Sequence, residues 1–179
     1  MQLVHPSVAR FYAYERIRDA DDRLTDQYLM AMEYVDGTDL EPVVRATGPV
    51  PPAAVARWGV QLLEGLDALH RAGFVHRDVK PLNVRVIGYR AGVDLAPLPV
   101  KLLDFGLVRP VTEAAGEGRA ALTFVGSSEY APPEQWPGGT LSNATDYYAL
   151  GGTLYYALTG RSPFALDKHD PMAYFRRHV

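Results

Sequence analysis

The chain has 179 residues, enough for one domain with a real core, and its apolar and charged fractions are those of an ordinary globular protein. A formal net charge of −3 gives no whole-chain attraction to nucleic acid or to an anionic membrane, and the lack of cysteine excludes disulfides and thiolate metal sites. No basic segment followed by an apolar run opens the sequence, and the longest apolar stretch, Tyr147 to Leu158, is too short to span a bilayer and holds Gly151 and Gly152. A soluble, cytoplasmic domain without a membrane segment is the expectation.

In chain order, Val8 to Ile17 reads as an extended, aromatic-rich segment, Arg18 to Gln27 as a charged turn, and Tyr28 to Val35 as a second apolar run. Together they predict an antiparallel hairpin. Asp19, Asp21 and Asp22 read as a solvated turn, since nothing nearby supplies the Gly and Glu of a calcium loop. Asp36-Gly37 breaks the pattern, and a short helix is expected over Asp39 to Ala46. From Pro51 to Ala72, Val55, Trp58, Leu62, Leu66 and Leu69 recur at three- and four-residue spacings on one helical face, which predicts core packing. Pro51 and Pro52 suit the first turn of that helix and Gly73 suits its end. Phe74 to Asn83 reads as a loop. Val84 to Ile87 and Val100 to Leu103 read as paired strands around a Gly88–Pro99 loop, and Asp104 to Glu134 as a long irregular segment. Thr145 to Thr159 is a helix apolar nearly all round, hence expected to be buried. Lys168, His169 and Asp170 are a solvated patch, and Pro171 to Val179 is helix-like.

The chemistry sits in His76-Arg77-Asp78-Val79-Lys80-Pro81-Leu82-Asn83 and in Asp104-Phe105-Gly106. A carboxylate such as Asp78 orients a hydroxyl and takes its proton. An ammonium such as Lys80 sits on a transferring phosphate. The amide oxygen of Asn83 and the carboxylate of Asp104 are hard ligands, suited to magnesium rather than zinc. Gly106 permits a sharp turn directly after that carboxylate.

These motifs resemble those of eukaryotic-type (Hanks-type) serine/threonine protein kinases. His76 to Asn83 matches the H-R-D-x-x-x-x-N signature and Asp104 to Gly106 the D-F-G signature. Pro132-Pro133-Glu134 stands where the family has A-P-E, with Gly126-Ser127-Ser128-Glu129-Tyr130 before it. Asp146 to Gly151 resembles the central helix of the large lobe, and His5-Pro6 with Met32 to Gly37 the entry to the fourth strand and the interlobe hinge. The resemblance covers nearly the whole chain in the correct order. It implies an α+β, protein-kinase-like fold, with a small-lobe hairpin remnant and hinge over 1–36 and a mostly helical, partial large lobe over 37–179. The catalytic loop would be 76–83 and the activation segment 104–134.

The resemblance further implies transfer of the ATP γ-phosphate to Ser/Thr hydroxyls of a protein substrate, with Mg2+ as cofactor. Asp78 would be the catalytic base, and Lys80 would contact the transferred phosphate. Asn83 and Asp104 would hold magnesium, and Ser127 would support Asp78 and Lys80. The backbones of Glu33 and Val35, behind Met32, would meet the adenine edge. Arg85 takes the place of the leucine usual under the adenine, either stacking on the purine or obstructing it. Arg77 would pair with a phosphate on Thr123, or secondarily on Thr112. His76 would be architectural, and Asp146 would cap amides of the catalytic loop. Nothing implies nucleic-acid binding, and oligomeric state is left open.

The sequence contains no G-x-G-x-x-G run and no V-A-I-K-like strand. The expectation is therefore a kinase catalytic domain without most of its small lobe and last helices, inactive on its own. The alternative is a non-catalytic remnant that binds a protein partner. A small-molecule kinase of the antibiotic-modifying type fits less well, because the peptide-positioning stretch Ser127–Glu134 is present. Two structural expectations follow. Glu134 is left as a buried, unpaired carboxylate, and Phe11, Tyr12 and Leu29 form an exposed apolar patch.

Overall fold

The computed structural model describes residues 3–104, 109–110, 129–136, 139–164 and 176–177. Phe105, Gly106, Thr112, Thr123, Ser127, the 168–170 patch and all but 176–177 of the last helix-like stretch lie outside the described residues.

Strands β1 (Phe11–Arg18) and β2 (Leu24–Met32) form the expected antiparallel hairpin, registered from Phe11↔Met32 to Arg18↔Leu24. The turn is shorter than the charge pattern suggested. Asp19 closes it by accepting hydrogen bonds from the amides of Asp21 and Arg23, both at 2.9 Å. Asp22 carries the left-handed backbone, at φ 63°. Residues 24–27 therefore join the strand, and Thr25 donates across the hairpin to the Ile17 carbonyl at 2.8 Å. Of the expected apolar patch, Tyr12 and Leu29 are 58% and 60% exposed. Phe11 is not part of it, because it packs against the buried cluster of Val8, Ala9, Val35 and Leu69.

A short strand, β3 (Thr38–Asp39), leads into α1 (Leu40–Thr47), and α2 runs from Pro52 to Arg71. The apolar stripe of α2 is inside: Val55, Trp58, Leu62, Leu66 and Leu69 are buried. Each such side chain contributes about 1.5–3 kcal/mol of burial. Gly65 lets α2 approach the chain at Ser7–Val8, where an added Cβ would stand 2.8 Å from a Val8 methyl and 3.2 Å from the Ser7 carbonyl oxygen. Gly73, at φ 84°, ends the helix as expected.

Phe74 to Asn83, expected as plain loop, contains β4 (Phe74–Val75) and a 3-10 turn over Pro81–Asn83. Strands β5 (Val84–Val86) and β6 (Val100–Leu102) pair antiparallel, and the sheet order is β3-β5-β6. β4 pairs with β7 (Arg109–Pro110). The Gly88–Pro99 connection folds over α2. Leu95 is buried, Tyr89, Ala96 and Leu98 pack on the core, and the Trp58 indole donates to the Leu98 carbonyl at 2.8 Å. A second 3-10 turn spans Pro133–Gln135.

Helix α3 (Asn143–Thr159) begins with a capping box between Ser142 and Thr145 and ends at left-handed Gly160. Its near-uniform apolar composition suggested full burial, and the structure differs. Ala149, Leu150, Thr153, Tyr156 and Ala157 are buried, whereas Tyr147, Tyr148, Tyr155 and Leu158 are exposed. Only one face of the helix meets the core, and apolar composition alone does not say how many faces are covered. Glu134 is also corrected. It is partly exposed and accepts a hydrogen bond from the Thr145 hydroxyl at 3.1 Å.

Candidate active site

The loop after β4 is shaped by a buried carboxylate from the first turn of α3. Asp146, fully buried, accepts from the amide of His76 through Oδ2 and from the amide of Arg77 through Oδ1, both at 2.8 Å. The His70 ring adds a third bond, with Nε2 at 2.7 Å from Oδ2. Because a carboxylate only accepts, His70 donates from Nε2, and its Nδ1 faces the Tyr147 hydroxyl at 3.2 Å. Three donors thus satisfy a charge that would otherwise be costly to bury.

This grip lets Arg77 hold an unfavourable backbone. Its φ is 70°, a region worth about 1–3 kcal/mol of strain for a non-glycine residue. The Arg77 carbonyl is fixed from the other side by the Gln135 side chain, whose Nε2 donates to it at 2.7 Å. Asp104 has the same left-handed backbone, at φ 62°. Such residues cluster at functional sites, where surrounding bonds over-determine them.

The turn at Arg77 presents Asp78. Its Oδ2 lies 2.6 Å from Lys80 Nζ and 2.9 Å from Asn83 Nδ2, and the same Asn83 amide donates to the Asp78 carbonyl at 2.8 Å. Asp78 and Lys80 side chains are only 10% and 19% exposed. Since Asn83 spends its nitrogen on Asp78, its amide oxygen is the atom left for a hard cation.

His76 and Asn83 tie this loop to the strand that leads to Asp104. The Leu103 amide donates to the Asn83 carbonyl at 2.7 Å, and His76 Nε2 donates to the Leu103 carbonyl at 2.9 Å. His76 Nδ1 then accepts from the Asp78 amide at 3.3 Å. This bonding describes a buried imidazole that joins two segments.

Met32 ends β2, Glu33 follows it, and Val35 is buried against Val8, Ala9 and Leu69. Glu33 binds Lys101 Nζ through Oε1 at 2.6 Å and the Arg10 amide through Oε2 at 2.8 Å. Burial alone would raise its pKa, but the hydrogen bonds and positive charge of Lys101 and Arg10 outweigh it and hold the carboxyl below the ordinary range. Arg85 lies on β5 opposite Asp39, with Nε 3.2 Å from Asp39 Oδ1 and Nη1 donating to the Gly37 carbonyl at 3.0 Å. Thus the structure brings Asp78, Lys80 and Asn83 together, with Asp104 one residue beyond their bonded neighbour. Met32, Glu33, Val35 and Arg85 line the adjoining connection.

Sequence reasoning passed over His70, Gln135 and Lys101. Each had a faint signal. His70 is a lone histidine at the end of an apolar helical stripe, and Lys101 is a lone cation inside an apolar strand.

A model of the family described as "Protein kinase domain" matches residues 1–178. The chain belongs to the protein kinase family. Among similar proteins, Serine/threonine-protein kinase PknB of Mycobacterium leprae is 33% identical over 149 residues, which is 83% of this chain and 22% of that protein. Probable serine/threonine-protein kinase CE0033 of Corynebacterium efficiens is 35% identical over 151 residues, 84% of this chain and 21% of that protein. Serine/threonine-protein kinase F of Synechocystis sp. is 35% identical over 150 residues, 82% of this chain and 28% of that protein.

The chain is thus a Hanks-type serine/threonine kinase by family, with an α+β kinase-like fold, and spans 21–28% of the length of these curated relatives. The family acts on protein substrates and draws its phosphate from ATP, typically with Mg2+. Among the described residues, no helix is long and apolar enough to cross a membrane.

Two hard oxygen donors, the Asn83 amide oxygen and the Asp104 carboxylate, fit a magnesium ion. Such an ion ordinarily takes its remaining ligands from water and nucleotide phosphates.

Proposed function

We propose that residues 76–104 form the phosphoryl-transfer side of a serine/threonine protein kinase site. Asp78 orients the substrate hydroxyl and accepts its proton. Lys80 contacts the γ-phosphate of ATP. Asn83 and Asp104 would hold Mg2+, which would offset the charge of the phosphates, and Ser127 steadies Asp78 and Lys80. The backbones of Glu33 and Val35, with Met32 behind them, receive the adenine edge, and Arg85 lies beneath it. Residues 1–36 serve as the small-lobe part and hinge, and 37–179 as the large-lobe part. Arg77 receives a phosphate placed on Thr123.

The observation that carries this reading is the Asp78 carboxylate, held by Lys80 at 2.6 Å and Asn83 at 2.9 Å. A base needs this positioning before its reactivity matters. Transfer of labelled γ-phosphate from ATP to a protein Ser/Thr acceptor by the full-length protein tests it. Loss of transfer in Asp78→Asn supports the reading, and undiminished transfer in that variant overturns it.

A second reading applies to these residues in isolation. They contain no G-x-G-x-x-G run to cover phosphates. The polypeptide of these residues alone is then a kinase-like binding module without transfer activity, because catalysis here is mostly positioning and electrostatics.

A further inference from the structure

Across the sheet β3-β5-β6, Asp39 stands opposite Arg85, and Arg85 stands opposite Lys101. Their neighbours Val84, Val86, Val100 and Leu102 are buried in the core. Alternation along a strand therefore puts the charged residues together on the other face. Two cations directly opposite each other are destabilising. Each is offset by a carboxylate on its outer side, Arg85 by Asp39 at 3.2 Å and Lys101 by Glu33 at 2.6 Å. The Arg85–Asp39 approach is a charge contact, and the aligned hydrogen bond of Arg85 goes to the Gly37 carbonyl at 3.0 Å. The row reads minus, plus, plus, minus.

The two carboxylates lie at the two ends of one segment, residues 33–39, which runs from the end of β2 through β3. At one end Glu33 also accepts from the Arg10 amide at 2.8 Å and donates its own amide to the Arg10 carbonyl at 2.7 Å. Near the other end Gly37, at φ 151°, lies flat on the Arg85 stem, where an added Cβ would stand 3.1 Å from Arg85 Cγ and 2.5 Å from the Val86 carbonyl oxygen. The side chains are partly shielded, Lys101 at 13% exposure and the other three at 28–29%. Salt screens them less than it screens open surface pairs.

We propose that Lys101 and Arg85 are paired positioning residues that clamp the 33–39 connection by both ends and set its distance from Asp104, three residues beyond Lys101. The inference rests on the reading of 33–35 as the nucleotide edge. It gives Arg85 a role different from both stacking and obstruction. Its guanidinium is spent on Gly37 and Asp39, and its stem becomes the seat of the connection.

The test is made on the full-length protein with two readouts. Backbone hydrogen exchange is followed without nucleotide, and ATP kinetics are measured with a protein acceptor. In Lys101→Met and in Arg85→Met, exchange over 33–39 should rise about fivefold while α2 amides stay unchanged, as expected for a local opening that loses one shielded ion pair. KM for ATP should rise by about the same factor, with kcat within about twofold. Lys101→Arg should restore both. Unchanged exchange in both Met variants, an equal rise in α2, or no rescue by Lys101→Arg overturns the clamp. Exchange that responds as expected in a protein that binds no ATP overturns the nucleotide-edge reading instead.

Discussion

The backbone amide of Arg77 donates to Asp146 Oδ1 at 2.8 Å while Arg77 itself sits at φ 70°. A buried carboxylate on α3 therefore holds in place the strained residue that presents Asp78. Replacing Asp146 with Ala leaves the amides of His76 and Arg77 and the ring of His70 without their acceptor. The expected loss is about 3–5 kcal/mol of stability, read by urea unfolding. Asp146→Asn keeps the shape but loses one acceptor, and should cost less than Asp146→Ala.

Trp58 fills the centre of the α2 stripe and fixes the Gly88–Pro99 connection through its indole. Trp58→Ala should cost about 3–5 kcal/mol. Trp58→Phe, which keeps most of the volume but leaves the Leu98 carbonyl unbonded, should cost distinctly less. Comparable losses in the two variants would assign the contribution to the hydrogen bond rather than to packing.

Asn83 donates its amide nitrogen to Asp78, which leaves its oxygen for the proposed Mg2+. Asn83→Ala should raise the Mg2+ concentration needed for half-maximal transfer by about 10–100-fold, as found for groups that ligate or orient a metal ligand. A magnesium titration of the full-length protein checks this, and an unchanged midpoint would remove Asn83 from the metal site.

Glu33 has a lowered folded-state pKa, so its ion pair contributes stability that is present above the ordinary carboxylate range of about 4.3 and is lost as pH falls through the folded value. Hydrogen exchange over 33–39 should therefore be flat with pH near neutrality, once the intrinsic rate is divided out. It should rise below that range. In Lys101→Met this acid-side rise should shrink, because the partner that lowers the pKa is gone.

The parts of the fold readable from sequence are those with a local cause. The α2 stripe follows from helical spacing, its end from Gly73, and the strands around Arg85 and Lys101 from short apolar runs. The family was legible because His76–Asn83 and Asp104–Gly106 keep fixed spacings that single out one chemistry. The capping of the catalytic loop by Asp146 was legible only through that resemblance, since the partners lie about 70 positions apart. What was not legible is tertiary. The His70 contact to Asp146, the Gln135 contact to the Arg77 carbonyl and the Glu33–Lys101 pair each join distant segments with no local pattern to announce them. The expected burial of all of α3 failed for a related reason, because composition does not reveal which faces another element covers. The left-handed backbone of Arg77 is imposed by its surroundings, not by the residue's own preference.

The central claim is that Asp78, held by Lys80 and Asn83, is the base of a phosphoryl transfer to protein hydroxyls. It is tested most directly by single-turnover transfer of γ-phosphate from Mg-ATP to a Ser/Thr acceptor by the full-length protein and its Asp78→Asn variant. The account expects phosphoserine or phosphothreonine in the unaltered protein and a rate lower by about 10²–10⁴ in the variant, with ATP affinity little changed. Equal rates in the two proteins would contradict it.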